Sequence, residues 1–392
     1  MIVNTIVKYK SLFPKPIYEI LRKANHKRLS FQSLLTNSFN RSRFLFEFKT
    51  FNLNKAKKLK IKYDYAKSIF TNNNMPTDFS IIFGVAPCNH SCLFCPQSVK
   101  KPKKATWLDL NVLAKVLNEM PEENVKLHVS SYSEALVTPN LVEYIKTIKK
   151  IRPKLPVAFA SNGTIFREDV ISDLFRNKLD IYQYSFDAPN RDIYKRMMQS
   201  DDFDKVWNHL EKIVELRNKI NPSTKIITHI LGFEESKKDF VSFKKYWEKK
   251  VDLVYWREFK NWGGQWGLED NLKKAGFEYS NKIPKKRYPC TSIFMHFKLN
   301  PLGLYSPCVT SVPDYKLEEE VHKAPYLGDA RKMTFNEAWE KLNQIRLDHL
   351  KGNWNKYDMC KKCSVWSAWK NPWIKEGNVY KIPNIKNSLL KS

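Results

Sequence analysis

"GVAPCNHSCLFCPQS" (residues 84–98) places Cys88, Cys92 and Cys95 within eight positions of a 392-residue chain that has only seven cysteines. The three thiols follow directly on "FSIIFG" (79–84), a β-branched and aromatic run that reads as a strand. Similar runs recur downstream: "VKLHVSS" (125–131), "VAFAS" (157–161), "IYQYSF" (181–186), "KIITHIL" (225–231) and "LVYWRE" (253–258). Helical patterns lie between them. "WLDLNVLAKVLNEM" spaces Leu110, Leu113, Val116 and Leu117 along one helix face, and "NLVEYIKTIKK", "EDVISDLFRN", "FDKVWNHLEKIVELRNKI" and "KKDFVSFKKYWEKK" repeat the pattern. Strand then helix, begun six times, predicts an α/β fold with a parallel sheet. Right-handed crossovers curl such a sheet into a full or partial β/α barrel, whose active site lies at the C-terminal ends of the strands. The cysteine loop stands at that end.

The length suggests roughly two or three domains. Hydrophobic residues at 42% and aromatics at 14% are enough for a buried core, and 28% charged residues exclude a membrane-embedded chain. No apolar run reaches the length of a membrane span, and "MIVNTIVKYKSLFPKPIYEILRK" lacks a secretory cleavage pattern, so the expected location is cytoplasmic. The net charge of +28 is uneven: residues 1–75 hold 16 Lys or Arg against Glu19, Glu47 and Asp64. Such a region either attracts nucleic acid, an anionic membrane face or an acidic partner, or merely solvates the surface. "TNNNMPTD" closes it.

Thiolates at C-x3-C-x2-C spacing can wrap three irons of a [4Fe-4S] cube and leave the fourth without a protein ligand. A structural zinc site is the alternative, but three close cysteines make an incomplete tetrahedron. His90 is a conceivable fourth ligand, although its place inside the loop suggests a solvated ring. "CNHSCLFC", with Phe94 before the last cysteine at the end of the first strand, resembles the radical S-adenosylmethionine (SAM) superfamily. The resemblance implies a partial (β/α)6 barrel and a [4Fe-4S] cluster whose open iron binds S-adenosylmethionine. Reductive cleavage then yields a 5'-deoxyadenosyl radical that abstracts hydrogen from a substrate. It also implies cofactor contacts at Phe94, at Glu134 in "SSYSEAL" for the ammonium group, at Asn162 in "ASNG", and at Ser185 and Asp187 in "SFDAPN". Serines stand where the family's second turn carries glycines.

After "NWGGQWG" (261–267) the alternation stops. Two short strands around "SIFMHFKLNPLGLYSPC" and one helix from Thr334 to Lys351, opened by a Thr334/Glu337 capping box, predict a small second α+β domain. It holds Cys290, Cys308, Cys360 and Cys363, four thiolates that suit either a tetrahedral zinc or a fully ligated [4Fe-4S] cluster. The pattern C-x12-G-x4-C followed by C-x2-C resembles the SPASM or twitch extension of radical SAM enzymes, which implies one auxiliary [4Fe-4S] cluster. The expected organisation is a basic region (1–76), a core barrel (77–270), an auxiliary-cluster domain (271–370) and a loose tail (371–392).

The function expected from this pattern is hydrogen abstraction from a small polar substrate, as in dehydrogenation or epimerisation of a sugar or cyclitol. A donor such as flavodoxin or ferredoxin would supply the electron. A peptide-modifying maturase, an RNA-modifying enzyme and a zinc-stabilised nucleic-acid-binding protein are the competing readings. Arg257 and Glu258, which end the sixth strand, are candidates for proton acceptor or substrate anchor, or for a surface ion pair.

Overall fold

The computed structural model describes residues 76, 78–121, 125–264, 266–278, 283–308, 326–368 and 373–381. The basic N-terminal region lies outside the described residues. The six predicted strands are β1 (Asp78–Val85), β3 (Lys126–Ser131), β4 (Val157–Ser161), β5 (Ile181–Asp187), β6 (Lys225–Leu231) and β7 (Leu253–Arg257). They pair in parallel, in chain order. A short β2 (Thr106–Trp107) lies antiparallel on the end of β1. Every residue of β1 is buried, as a strand covered on both faces must be.

Helices cover the outer face. Asp109 starts α1 (Leu110–Glu119) by accepting the N–H groups of Asn111 and Val112, and of the stripe predicted for it Leu113, Val116 and Leu117 are buried while Leu110 is half-buried. Next come α2 (Leu141–Ile151), α3 (Glu168–Arg176), α4 (Arg191–Met198), α5 (Phe203–Ile220) and α6 (Lys237–Trp247). Phe83 of β1 stacks on Tyr144 of α2 at 4.4 Å, and Phe186 of β5 meets Phe243 of α6 at 4.9 Å. Alternate strand residues point the other way. There Ile181, Ile227 and Tyr255 form a separate apolar cluster on the concave face. The curled sheet does not close, since β7 ends it on one side.

The other side differs from a simple two-domain picture. The strand β8 (His296–Leu299) pairs in parallel with β1, and β9 (Leu304–Ser306) and β10 (Gly328–Asp329) follow antiparallel. Strands of the predicted small domain thus continue the barrel sheet. The cause is aromatic packing: Phe297 lies 4.8 Å from Phe79 of β1, 5.0 Å from Phe335 and 5.4 Å from Trp339. Gly303 turns the β8–β9 hairpin at a φ of 75°.

After a short α7 (Leu268–Lys274), the capping box of Thr334 and Glu337 is present and opens α8 (Phe335–Lys341). The predicted helix does not run on unbroken to Lys351; a separate α9 (Asn343–Leu350) succeeds it. At the break the Leu342 N–H turns back to Trp339 O at 3.3 Å, the carbonyl that an uninterrupted helix would offer to Asn343, and Arg346 Nη1 donates to the same oxygen at 3.2 Å. The short α10 (Asp358–Lys361) carries the last cysteine pair's start. The expected loose tail is also partly built: β11 (Ile374–Glu376) and β12 (Val379–Lys381) form a hairpin. Trp373 beside it packs on Phe294, and Tyr380 of β12 packs on Trp354. Among the described residues no helix is long and apolar enough to cross a membrane.

Phe79→Ala removes the ring against which Phe297 and Phe335 pack. It is expected to cost about 3–5 kcal/mol in chemical denaturation. A loss under about 1 kcal/mol would show that the β8 hairpin is held by something else.

Candidate cluster and cofactor site

The β1 strand delivers the cysteine loop, and Gln97 holds it in shape. Its Oε1 accepts the Cys88 N–H at 2.8 Å, while its Nε2 donates to Ala86 O at 3.0 Å and to Tyr132 O. The Cys95 N–H closes a tight turn on Cys92 O, and the Leu93 N–H reaches Met197 O of α4, both at 2.9 Å. Cys92 is buried, and Cys88 and Cys95 are half-buried. Burial raises all three thiol pKa values, that of Cys95 to about 12, and neighbouring thiols and carboxylates push the same way. As free thiolates they would be costly here. Bound metal removes that cost, because it replaces the proton with a cation.

The ring of His90 is not solvated, contrary to expectation. It is 5% exposed, and its Nε2 meets Asp202 Oδ2 at 3.1 Å. The loop's turn points this side chain under α4 and α5, where it packs against Tyr194.

Glu134 ends the turn after β3 and is buried. Its Oε1 accepts from Ser161 Oγ at 2.6 Å and the Leu136 N–H at 3.0 Å, and its Oε2 accepts the Asn162 N–H at 2.6 Å. Burial raises its pKa. Each carboxylate oxygen offers two lone pairs, so Oε2 has room for a further donor such as an ammonium. The Asn162 amide reaches Asn89 of the cysteine loop at 3.3 Å, and Asn89 in turn donates to Thr164 at 2.6 Å. Gly163 makes this turn possible: its φ is 76°, and a Cβ would stand 1.9 Å from the Tyr184 hydroxyl.

Ser185 and Asp187 lie at the end of β5, with Asp187 at a φ of 65° beside a register shift against β6. Holding a non-glycine residue in the left-handed region costs on the order of 1–3 kcal/mol, so the surrounding structure must impose it. Asp187 Oδ1 lies 2.9 Å from His229 Nε2, which also stands 3.1 Å from Arg257 Nη1. Among the described residues Nδ1 of His229 has no hydrogen-bond partner, and burial lowers the ring's pKa, which favours its neutral form. His229 went unnoticed in the sequence because "KIITHIL" reads as plain strand; only pairing with Ser185 and Tyr255 puts it beside Asp187 and Arg257. Glu258 pairs instead with Lys260, at 3.4 Å. On the far side of the concave face, Lys298 of β8 donates to the Tyr132 hydroxyl at 2.6 Å.

The second set is gathered from three places in the sequence. Cys290, Cys308, Cys360 and Cys363 line one cavity with Arg287 and His349. The Cys290 N–H donates to His349 Nδ1 at 3.3 Å, which leaves the ring proton on Nε2, 3.6 Å from Cys360 Sγ. Val365 N–H reaches Cys363 Sγ at 3.3 Å. Burial raises the Cys360 thiol to about 12 and also holds that of Cys290 well above its ordinary value. None of the seven cysteines forms a disulfide. Among the described residues no three His, Cys, Asp or Glu side chains are placed to hold a single metal ion, as zinc requires.

The glycine-rich break after β7 joins the two sets. Trp262 Nε1 donates to Phe94 O at 3.1 Å, between Cys92 and Cys95. Asn261 donates to Lys362 O at 3.0 Å and accepts the Ser364 N–H at 3.1 Å, bracketing Cys363. Gly264 lies so close that a Cβ would come within 2.3 Å of Lys362 O.

A family model described as the radical SAM superfamily matches residues 86–246, and an iron-sulfur cluster-binding domain, SPASM, matches 290–364. The chain belongs to the radical SAM superfamily. These domains imply a [4Fe-4S] cluster with S-adenosylmethionine and an auxiliary cluster in the SPASM region, and both thiol sets fit such groups. The GTP 3',8-cyclase of Desulforamulus reducens is 27% identical over 131 residues, which is 33% of this chain and 40% of that protein. The chain spans less than two thirds of the length of the curated relatives it matches. Streptococcus suis SuiB bound to S-adenosylmethionine shares the fold at a TM-score of 0.52 and 11% identity, over 76% of this chain and 74% of that one. BtrN in complex with AdoMet and 2-DOIA aligns at 17% identity and a TM-score of 0.46, over 74% of this chain and 93% of that one.

Gln97→Ala frees the Cys88 N–H and two carbonyls of the loop. It is expected to lower iron loading of the first thiol set by at least about half, with the second set retained. Full loading by iron analysis would show that the loop holds its shape without Gln97.

Proposed function

We propose that this chain is a radical SAM oxidoreductase that dehydrogenates a small polar substrate, a sugar or cyclitol, in the concave face of its barrel. Cys88, Cys92 and Cys95 hold the cofactor cluster, and Cys290, Cys308, Cys360 and Cys363 hold one auxiliary [4Fe-4S] cluster. When bound, the first cluster and S-adenosylmethionine supply a 5'-deoxyadenosyl radical that can take hydrogen from an unactivated C–H bond.

The chain's own residues then position and exclude. Glu134 Oε2 takes the cofactor's ammonium, and that cation offsets the burial of the carboxylate. Asn162, Ser185 and Asp187 contact the ribose or the methionine carboxylate, and Phe94 covers the cofactor. Neutral His229, oriented by Asp187 and Arg257, accepts the hydroxyl proton that a carbon-centred radical must lose on the way to a carbonyl. The auxiliary cluster that Cys290, Cys308, Cys360 and Cys363 would hold could accept the accompanying electron, and a donor such as flavodoxin or ferredoxin would reduce the first.

The observation that carries this reading is the four-thiol cavity, tied through Asn261 to the same loop that holds Phe94. Four protein ligands leave no iron free for substrate, so such a site serves electron transfer.

Anaerobically reconstituted protein is expected to bind about eight irons per chain and no stoichiometric zinc, four for each cube. Cys92→Ala should abolish formation of 5'-deoxyadenosine, whereas Cys360→Ala should retain part of it. Equal loss in both variants would remove the division of labour, and a zinc-loaded, colourless protein would remove the function.

A further inference from the structure

We infer that Arg287 is a fixed positive charge that raises the reduction potential of the auxiliary cluster. The inference rests on the reading of Cys290, Cys308, Cys360 and Cys363 as that cluster's ligands.

Arg287 lines the four-thiol cavity from the segment just before Cys290. One nitrogen is committed, because Nη1 donates to Cys360 O at 2.8 Å. The guanidinium is held against two rings, with its carbon 5.1 Å from the centre of Trp354 and 5.7 Å from that of Trp366. The backbone is pinned as well, since its carbonyl accepts from the Tyr380 hydroxyl at 3.3 Å. The buried Arg287 Nε–H has no acceptor among the described residues. Buried donors are rarely left so, and the cavity that Arg287 lines is walled by sulfur.

Among the described residues no carboxylate is ion-paired with this charge. The groups that act on it electrostatically are Cys360, Cys363 and Cys290. Lys260, a cation that also acts on Cys363, is paired with Glu258 and lies at the barrel's end. The first thiol set has the opposite surroundings: Glu134 acts on Cys88, and Asp187 acts on Cys92 and Cys95, with Lys101 alone opposing them.

Reduction adds one negative charge to a cube whose thiolates already make it anionic. A cation held nearby, in surroundings that screen poorly, therefore stabilises the reduced state more than the oxidised one. N–H···S bonds from His349 and Val365 act in the same sense. Arg287 differs from them in carrying full charge at every working pH. A shifted potential would ease transfer of an electron out of the substrate and into this cluster.

The test is a redox titration of reconstituted full-length protein, followed by electron paramagnetic resonance, for the wild type, Arg287→Gln and Arg287→Lys, with iron counted in each. In Arg287→Gln the reduced-to-oxidised ratio of the auxiliary cluster at a given potential should fall about tenfold, equivalent to about 59 mV for one electron. Arg287→Lys should stay near the wild type, and the S-adenosylmethionine-binding cluster should be unmoved in both. An unchanged auxiliary potential in Arg287→Gln would overturn the inference. So would loss of auxiliary iron in that variant, which would make Arg287 a structural support. Zinc, or only about four irons, in the wild type would instead overturn the cluster reading beneath it.

Discussion

Two backbone carbonyls, Phe94 O and Lys362 O, are held by neighbouring side chains of a single short loop, Trp262 and Asn261. Each carbonyl lies inside one of the two cysteine motifs. The loop follows β7, so its place is set by the barrel's last strand. Hydrogen bonds from a rigid scaffold to loop backbone fix position more tightly than side-chain packing does, because they leave few alternative registers. The spacing between the two thiol sets therefore depends on the sheet being fully assembled.

That assembly extends beyond the strand-helix repeat. A parallel strand from the C-terminal region lies against β1, the strand that delivers the first cysteine loop. Its partner hairpin leads from Cys290 on one side to Cys308 on the other. Both cysteine sets are in this way joined to one pair of neighbouring strands, β1 and β8, and the aromatic contacts of Phe79, Phe297 and Phe335 bond these strands into one core. The concave face is lined from both sides, by Lys298 and Tyr132 on one and by Asp187, His229 and Arg257 on the other.

Burial makes these sites selective for what they hold. A buried thiol or carboxyl resists ionisation, as Cys92, Cys95, Cys290 and Glu134 all do. The same environment rewards any bound cation or cluster that lets them ionise, and it strengthens each remaining charge. Small residues and turns set the access: Gly163 admits the Asn162 turn over Tyr184, and Gly264 lets the barrel loop approach the C-x2-C segment.

Much was legible beforehand. Six strands, their helices and all seven cysteines follow from local periodicity and spacing, since hydrophobic alternation and thiol clusters are properties of neighbours in the chain. The role of "NWGGQWG" was not legible: it reads as a boundary, yet Asn261, Trp262 and Gly264 make the junction. Gln97, His229, Arg287 and His349 were likewise silent, because their meaning lies in partners far along the chain. The amino-acid order by itself determined the architecture and the metal-binding chemistry, through patterns short enough to act before folding is complete. Only the tertiary structure decided which charges face which thiols and where β8 pairs, because electrostatics and sheet register act through space between segments that the chain order keeps apart.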